Sequence, residues 1–222
     1  MLITTWAAPR PEAVGRRDDI SRVRKLTLAA GQRLCRQGGR PLCRVYLVRS
    51  GILRFERVTT TGERCIVGLA GRRALLGMEA MLGLPSLDEV VACTTVRLFG
   101  VACSPDPDTL PLGWLRGRTA LLSCHQSLRE SRDWGCELTR GGARLRTLRL
   151  LNRLVMLAAP AGQHPVIWLP RRDEIAAMLD ITLETASRQI SALRREGVIL
   201  TLSPGRATVD LTRLTLTLAA VI

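Results

Sequence analysis

The stretch from Leu169 to Leu200, LPRRDEIAAMLDITLETASRQISALRREGVIL, constrains this chain more than any other, because it divides into two short helices and a tight turn. Ile175, Met178 and Leu179 recur at i, i+3 and i+4 and mark the buried face of a first helix, with Pro170 supplying the fixed φ of its first turn. Asp180-Ile181-Thr182 breaks that period, and Thr182 suits an N-cap whose hydroxyl accepts from a free N–H of the next helix. The second helix begins at Leu183. Its buried stripe is Leu183, Ala186, Ile190 and Leu193, and Glu184, Thr185, Ser187, Arg188, Ser191, Arg194 and Arg195 fall off it. Gly197 then ends it as the residue just past a helix C-terminus.

Two helices of this length and spacing describe a helix-turn-helix, whose second helix enters the DNA major groove N-terminus first. Glu184, Ser187 and Arg188, at i, i+3 and i+4, project together from the first turns of that helix. A carboxylate accepts from cytosine N4, a guanidinium bonds guanine O6 and N7 together, and a serine addresses a base or a phosphate. Val198-Ile199-Leu200, a turn at Ser203-Pro204-Gly205 and a return at Ala207-Thr208-Val209 add a wing. A plain helical hairpin that contacts protein through a solvated charged face is the alternative. Caps, turn, basic balance and wing together favour DNA.

The string RRDEIAAMLDITLETASRQISALRREGVI resembles the DNA-reading motif of the CRP/FNR superfamily of bacterial transcription regulators, and Glu184, Ser187 and Arg188 resemble the FNR and FixK branch. That resemblance implies a homodimer on a two-fold symmetric TTGAT-type operator, with RNA polymerase as a further partner. Glu184, Ser187 and Arg188 would read bases, Thr185 would support them, and Arg172, Thr182 and Arg194 would complete the DNA contact, the first two on phosphates. One position departs from the family pattern. Asp180 stands where the turn usually has Gly, and Asp tolerates a left-handed backbone better than most residues.

Composition agrees with a polyanionic partner. The 222 residues carry 33 Lys+Arg against 19 Asp+Glu, a formal charge of +14, which attracts nucleic acid and makes association steeply salt-dependent. No run of about 18 apolar residues suggests a membrane span, and the start lacks a signal-peptide h-region, so the expectation is a cytoplasmic protein without a membrane partner. The seven cysteines are odd in number and include no C-x-x-C pair, which argues for reduced thiols.

Taken in order, residues 1–21 read as an N-terminal arm of mixed Pro, Gly and charge. Residues 22–107 break into short apolar runs separated by glycines, the texture of an antiparallel sandwich or barrel, with Thr61-Gly62-Glu63 closing a hairpin between Phe55–Val58 and Cys65–Val67. This stretch too resembles the superfamily, whose sensor domain is a double-stranded β-helix jelly roll. Gly77-Met78-Glu79-Ala80 is similar to the FNR-branch segment rather than to the cyclic-AMP cassette. Ser86-Leu87-Asp88-Glu89 carries carboxylates where that cassette would place an arginine, which argues against cyclic AMP. In residues 108–138, Leu115, Leu122 and Arg129 stand seven apart with Leu121 and Leu128 beside them, a seam for pairing with a second copy, weakened early by Gly113 and Gly117. Residues 139–222, opening on a helix over 144–158, form the winged helix-turn-helix domain. The fold class is α+β.

The signal is left open. The N-terminal cysteine group that holds the FNR iron–sulfur cluster has no counterpart here. Cys35, Cys65 and Cys93 in the β-roll, with Cys124 and His125 on the dimer helix and Gly77 and Glu79 nearby in sequence, are the candidates for a cluster, a metal or a thiol switch if the fold gathers them. Arg33 and Arg36 beside Cys35, and Arg64 beside Cys65, supply the positive charge that a reactive thiolate needs. Haem has only His125 and His164 to draw on, neither in the β-roll. An enzyme is not expected, since G-x-S-x-G, Walker and H-E-x-x-H motifs are missing and Ser123 and His125 diverge on one helix.

Overall fold

The computed structural model describes residues 23–40, 42–102, 118–158 and 162–221. The 1–21 arm, Leu115 and the glycines at 113 and 117 lie outside them. Among the described residues, the N-terminal half holds eight strands: β1 (Val23–Leu28), β2 (Arg33–Cys35), β3 (Arg44–Ser50), β4 (Leu53–Val58), β5 (Arg64–Ala70), β6 (Leu75–Leu76), β7 (Glu89–Ala92) and β8 (Val96–Ala102). They form two antiparallel four-stranded sheets, ordered β1-β8-β3-β6 and β2-β7-β4-β5.

Alternation explains the sandwich. Tyr46 and Val48 on β3 and Val96 and Leu98 on β8 are buried, and Leu53 and Ala92 meet them from the opposite sheet, whereas Val45 and Val101 pack in a separate cluster with Val23, Leu75, Met78 and Met81. The β4–β5 hairpin pairs Arg57 with Cys65 and Glu56 with Ile66, as its turn residues suggest, and a bulge follows Phe55. Gly51 must be glycine. Its φ of 91° is left-handed, and a Cβ there would lie 2.8 Å from the Val96 Cα.

Helix α1 (Arg118–Glu137) leads to α2 (Ala143–Leu157), strand β9 (Val166–Trp168), α3 (Arg172–Leu179), α4 (Leu183–Arg195), the wing β10 (Ile199–Ser203) and β11 (Arg206–Val209), and α5 (Leu211–Ala219). The wing closes a three-stranded sheet ordered β10-β11-β9. One hydrophobic core binds these elements to the β-roll. Leu148, Leu151 and Leu154 of α2, Ile175 and Leu179 of α3, and Ile190 and Leu193 of α4 pack in one cluster with Ile52, Ile66 and Leu69 of the β-roll and Trp134 and Leu138 at the end of α1. Each such side chain contributes about 1.5–3 kcal/mol on burial. Helix α3 is thus seated on the β5 side of the β-roll.

Candidate nucleic-acid interface

Helices α3 and α4 are joined by Asp180, Ile181 and Thr182. Asp180 adopts φ 50° and ψ 55°, the left-handed conformation that glycine usually supplies at this turn. Arg146 on α2 donates to the carbonyls of Leu179, at 2.6 Å, and Asp180, at 3.3 Å, so the open end of α3 is closed by a cation. At the far end of α4, the Gly197 N–H bonds the Arg194 carbonyl and the Val198 N–H bonds that of Leu193, a Schellman ending with Gly197 at φ 74°.

Two local expectations need correction. Pro170 is buried and precedes the helix rather than forming its first turn, because Arg171 is the extended N-cap and α3 starts at Arg172. Leu183 is not part of the buried stripe of α4. It is 55% exposed, since the first helical residue projects past the edge of the core that Ala186, Ile190 and Leu193 fill.

The residues expected to read bases fall as the helical spacing requires. Glu184 and Arg188 are exposed, Ser187 is half-buried between them, and Arg194 and Arg195 are exposed in the last turn. Thr182 caps α4: its hydroxyl accepts from the Thr185 N–H at 3.2 Å and donates to the Thr185 Oγ1 at 2.8 Å. A phosphate held by the Thr182 hydroxyl must therefore take over a proton now given to Thr185. Arg172 is half-buried, and burial pulls its pKa below the usual guanidinium value. Arg171 is the exposed cation at this helix end, paired with Asp173 at 2.9 Å. Arg206, at the wing turn beside Gly205, is a further exposed cation that the sequence reading passed over.

A model of the cyclic nucleotide-binding domain matches residues 25–102, and a model of the Crp-like helix-turn-helix domain matches residues 148–216. The chain belongs to the CRP/FNR family of transcription regulators. It is 29% identical to the transcriptional regulator SdrP of Thermus thermophilus over 168 residues, covering 72% of this chain and 76% of that protein. It is 30% identical to the transcriptional activator FnrL of Cereibacter sphaeroides over 161 residues, 70% of this chain and 64% of the relative. Among solved structures it is similar to the CRP/FNR-family regulator TTHA1359 of Thermus thermophilus, with a TM-score of 0.67, 26% identity and coverage of 90% and 100%. FixK2 of Bradyrhizobium japonicum shares the fold, with a TM-score of 0.72, 22% identity and coverage of 87% and 96%. The family is one of regulators rather than enzymes. Among the described residues no helix is long and apolar enough to cross a membrane.

The sensor candidates scatter in this family member. Cys35 lies against Ser86, Asp88 and Val90, Cys65 opposite Arg57, Cys93 against Arg54, and Cys124 and His125 are exposed on α1. The gathering of cysteines about Cys124 and His125 does not form, and among the described residues no three His, Cys, Asp or Glu side chains are placed to hold a metal ion. Nor does local arginine activate Cys35. Burial raises its thiol pKa, hydrogen bonds from Ser86 and Val90 offset this in part, and Glu79 and Asp88 add to it. Arg33 is turned to Glu89 at 2.7 Å instead. Burial also pushes Cys93 up to about 12, against the pull of Arg54. Gly77, left-handed at φ 77°, starts the 3-10 turn that carries Glu79. The carboxylates at the start of β7 are less repulsive than their sequence suggests, because Asp88 is paired with Arg57 at 2.6 Å and Glu89 with Arg33.

Proposed function

We propose that the protein binds a two-fold symmetric, TTGAT-like operator as a homodimer and regulates transcription there in response to a signal other than cyclic AMP. The observation that carries this reading is the solvent-facing set of Glu184, Ser187 and Arg188 on the first turns of α4, backed by the buried Ala186, Ile190 and Leu193. Arg188 suits bidentate contact with guanine, and Glu184 suits a cytosine amine. Arg172, Thr182, Thr185 and Arg194 border the same face, where phosphate contacts would fix the register. Similarity to FnrL supports the FNR-like branch.

The dimer axis in this reading is α1, where Leu121 is 70%, Leu122 43% and Leu128 50% exposed in the single chain. An isolated helix keeps such leucines in water only at a cost, and a second copy removes it. The working division is an arm over 1–21, a sensor domain over 22–107, a dimerisation helix over 108–138 and a DNA-binding domain over 139–222, with a cytoplasmic location and RNA polymerase as a further partner. With Asp88 and Glu89 each holding an arginine, neither Arg33 nor Arg57 is left open for a cyclic phosphate without breaking a pair.

The test is a titration of the purified protein with a symmetric TTGAT-containing duplex and with a scrambled duplex of equal length, at two salt concentrations. The expected result is tighter, salt-sensitive binding to the symmetric duplex at two protomers per duplex. Equal affinity for both duplexes would refute the reading.

A further inference from the structure

Among the described residues, helix α3 meets the sensor half at one charged point. Arg54, on β4, is only 19% exposed, and its guanidinium serves two carboxylates. Its Nε donates to Glu56 on its own strand, and its Nη1 donates to Glu174 Oε1, in the first turn of α3, at 3.0 Å. The other oxygen of Glu174 accepts from the Arg171 N–H at 2.8 Å and so caps α3. The other oxygen of Glu56, a residue 4% exposed, lies 3.0 Å from Arg64 Nη1 on β5. An unbroken run of charge therefore joins the β4–β5 hairpin of the sensor half to the N-terminus of the first reading helix.

The surroundings give this run its significance. The same two halves also touch through Ile52, Ile66 and Leu69 on one side and Ile175 and Ala176 on the other. Apolar contact is non-directional and tolerates sliding. A planar guanidinium that must face two carboxylates at once does not. Arg54 remains charged despite burial: desolvation works against it, but Glu56, Cys93 and Glu174 together hold its pKa above the ordinary value.

We propose that Arg54 is a positioning residue for DNA reading: by holding Glu174 it sets the angle at which the sensor half presents α3, and with it α4, to the operator. This rests on the reading of α4 as the DNA-contacting helix. Arg54 lies far outside the helix-turn-helix in sequence, and its role is to orient that motif rather than to touch DNA.

The experiment measures fluorescence anisotropy of labelled symmetric and scrambled duplexes with the full-length protein and its Arg54→Met, Arg54→Lys, Glu174→Gln and Arg54→Met/Glu174→Gln variants. Arg54→Met and Glu174→Gln are each expected to weaken the symmetric complex by about fivefold or more while changing scrambled binding by less than about twofold. The double variant is expected to be no weaker than the weaker single variant, because both changes remove one contact. Arg54→Lys, which keeps the charge, is expected to recover part of the loss. If wild-type protein does not prefer the symmetric duplex, the DNA reading itself fails. If it does, and either single variant keeps the full preference, or the two losses multiply, or Lys is no better than Met, the role of Arg54 is overturned. Should Arg54→Met not fold, Glu174→Gln decides, since its amide oxygen can still cap α3 while the charge facing Arg54 is gone.

Discussion

Arg146 Nη1 donates to the carbonyl of Leu179 at 2.6 Å, so a side chain of α2 closes the helix end from which the reading turn departs. The bond is charge-assisted and sits at the negative end of the α3 dipole. Arg146→Met keeps the stem and removes the cation, and it should lower stability by about 1–3 kcal/mol in chemical denaturation. DNA affinity should fall more on the symmetric than on a scrambled duplex, because the turn that aims α4 is disturbed. Asp180→Gly offers the complementary check. With φ at 50°, glycine relieves left-handed strain at some entropic cost, so a change within about 1 kcal/mol is expected, and a larger loss would show that the Asp180 carboxylate has a role of its own.

Arg188 and Arg194 are both exposed on α4, Arg188 near its middle and Arg194 in its last turn, and their substitution should separate base reading from phosphate contact. Arg188→Ala should cost about 1–3 kcal/mol on the symmetric duplex and relax the preference at one base pair. Arg194→Ala should weaken every duplex alike and reduce the slope of log K against log salt by about 1. Binding curves for operators changed one base pair at a time check both. A uniform loss with Arg188→Ala would move that residue from base edge to backbone.

The reading motif was legible because its signals are local: the 3-to-4-residue period of Ile175, Met178 and Leu179, the Thr182 cap and Gly197 all act within a few residues of themselves. The β-roll strands and the Thr61-Gly62-Glu63 hairpin were legible for the same reason. Leu183 was misjudged because periodicity cannot tell where a helix runs past the core beneath it. The surroundings of Cys35 were not legible for a different reason: charge beside Cys35 in sequence says nothing about Arg33 reaching across to Glu89 on β7. Arg54 with Glu174, and Arg146 with Leu179, join residues separated by 120 and 33 positions, and no spacing rule within one segment could have paired them.

Cys93 makes stability depend on alkaline pH. Its thiol titrates near 12 in the folded protein because burial penalises the thiolate, whereas its ordinary value is 9.0. Below pH 9 both states hold the proton and its contribution is fully present. As pH rises from 9 towards 12 the unfolded chain loses that proton first, so the folded state is disfavoured by up to about 1.4 kcal/mol per pH unit. Denaturation midpoints between pH 8 and 11 should therefore fall more steeply in wild-type protein than in Cys93→Ala. Iodoacetamide at pH 8 should label exposed Cys124 and Cys136 well before Cys93. Rapid labelling of Cys93 in the folded protein would contradict its protected environment.

The leucines of α1 supply a test of assembly that leaves the fold of each protomer alone. Leu121 and Leu128, seven residues apart and exposed in the single chain, present one stripe of the helix, whereas Trp134 and Leu138 anchor its far end in the shared core. Leu121→Glu/Leu128→Glu should therefore leave the unfolding transition of the protomer in place while placing like charges across a two-fold axis. Sedimentation equilibrium should report a dimer for the wild type, as proposed, and a monomer for the double variant. Affinity for the full symmetric duplex should drop towards that for a single half-site, because only a dimer lets two α4 helices engage half-sites about 34 Å apart at once. A double variant that still sediments as a dimer would place the two-fold axis on a different surface.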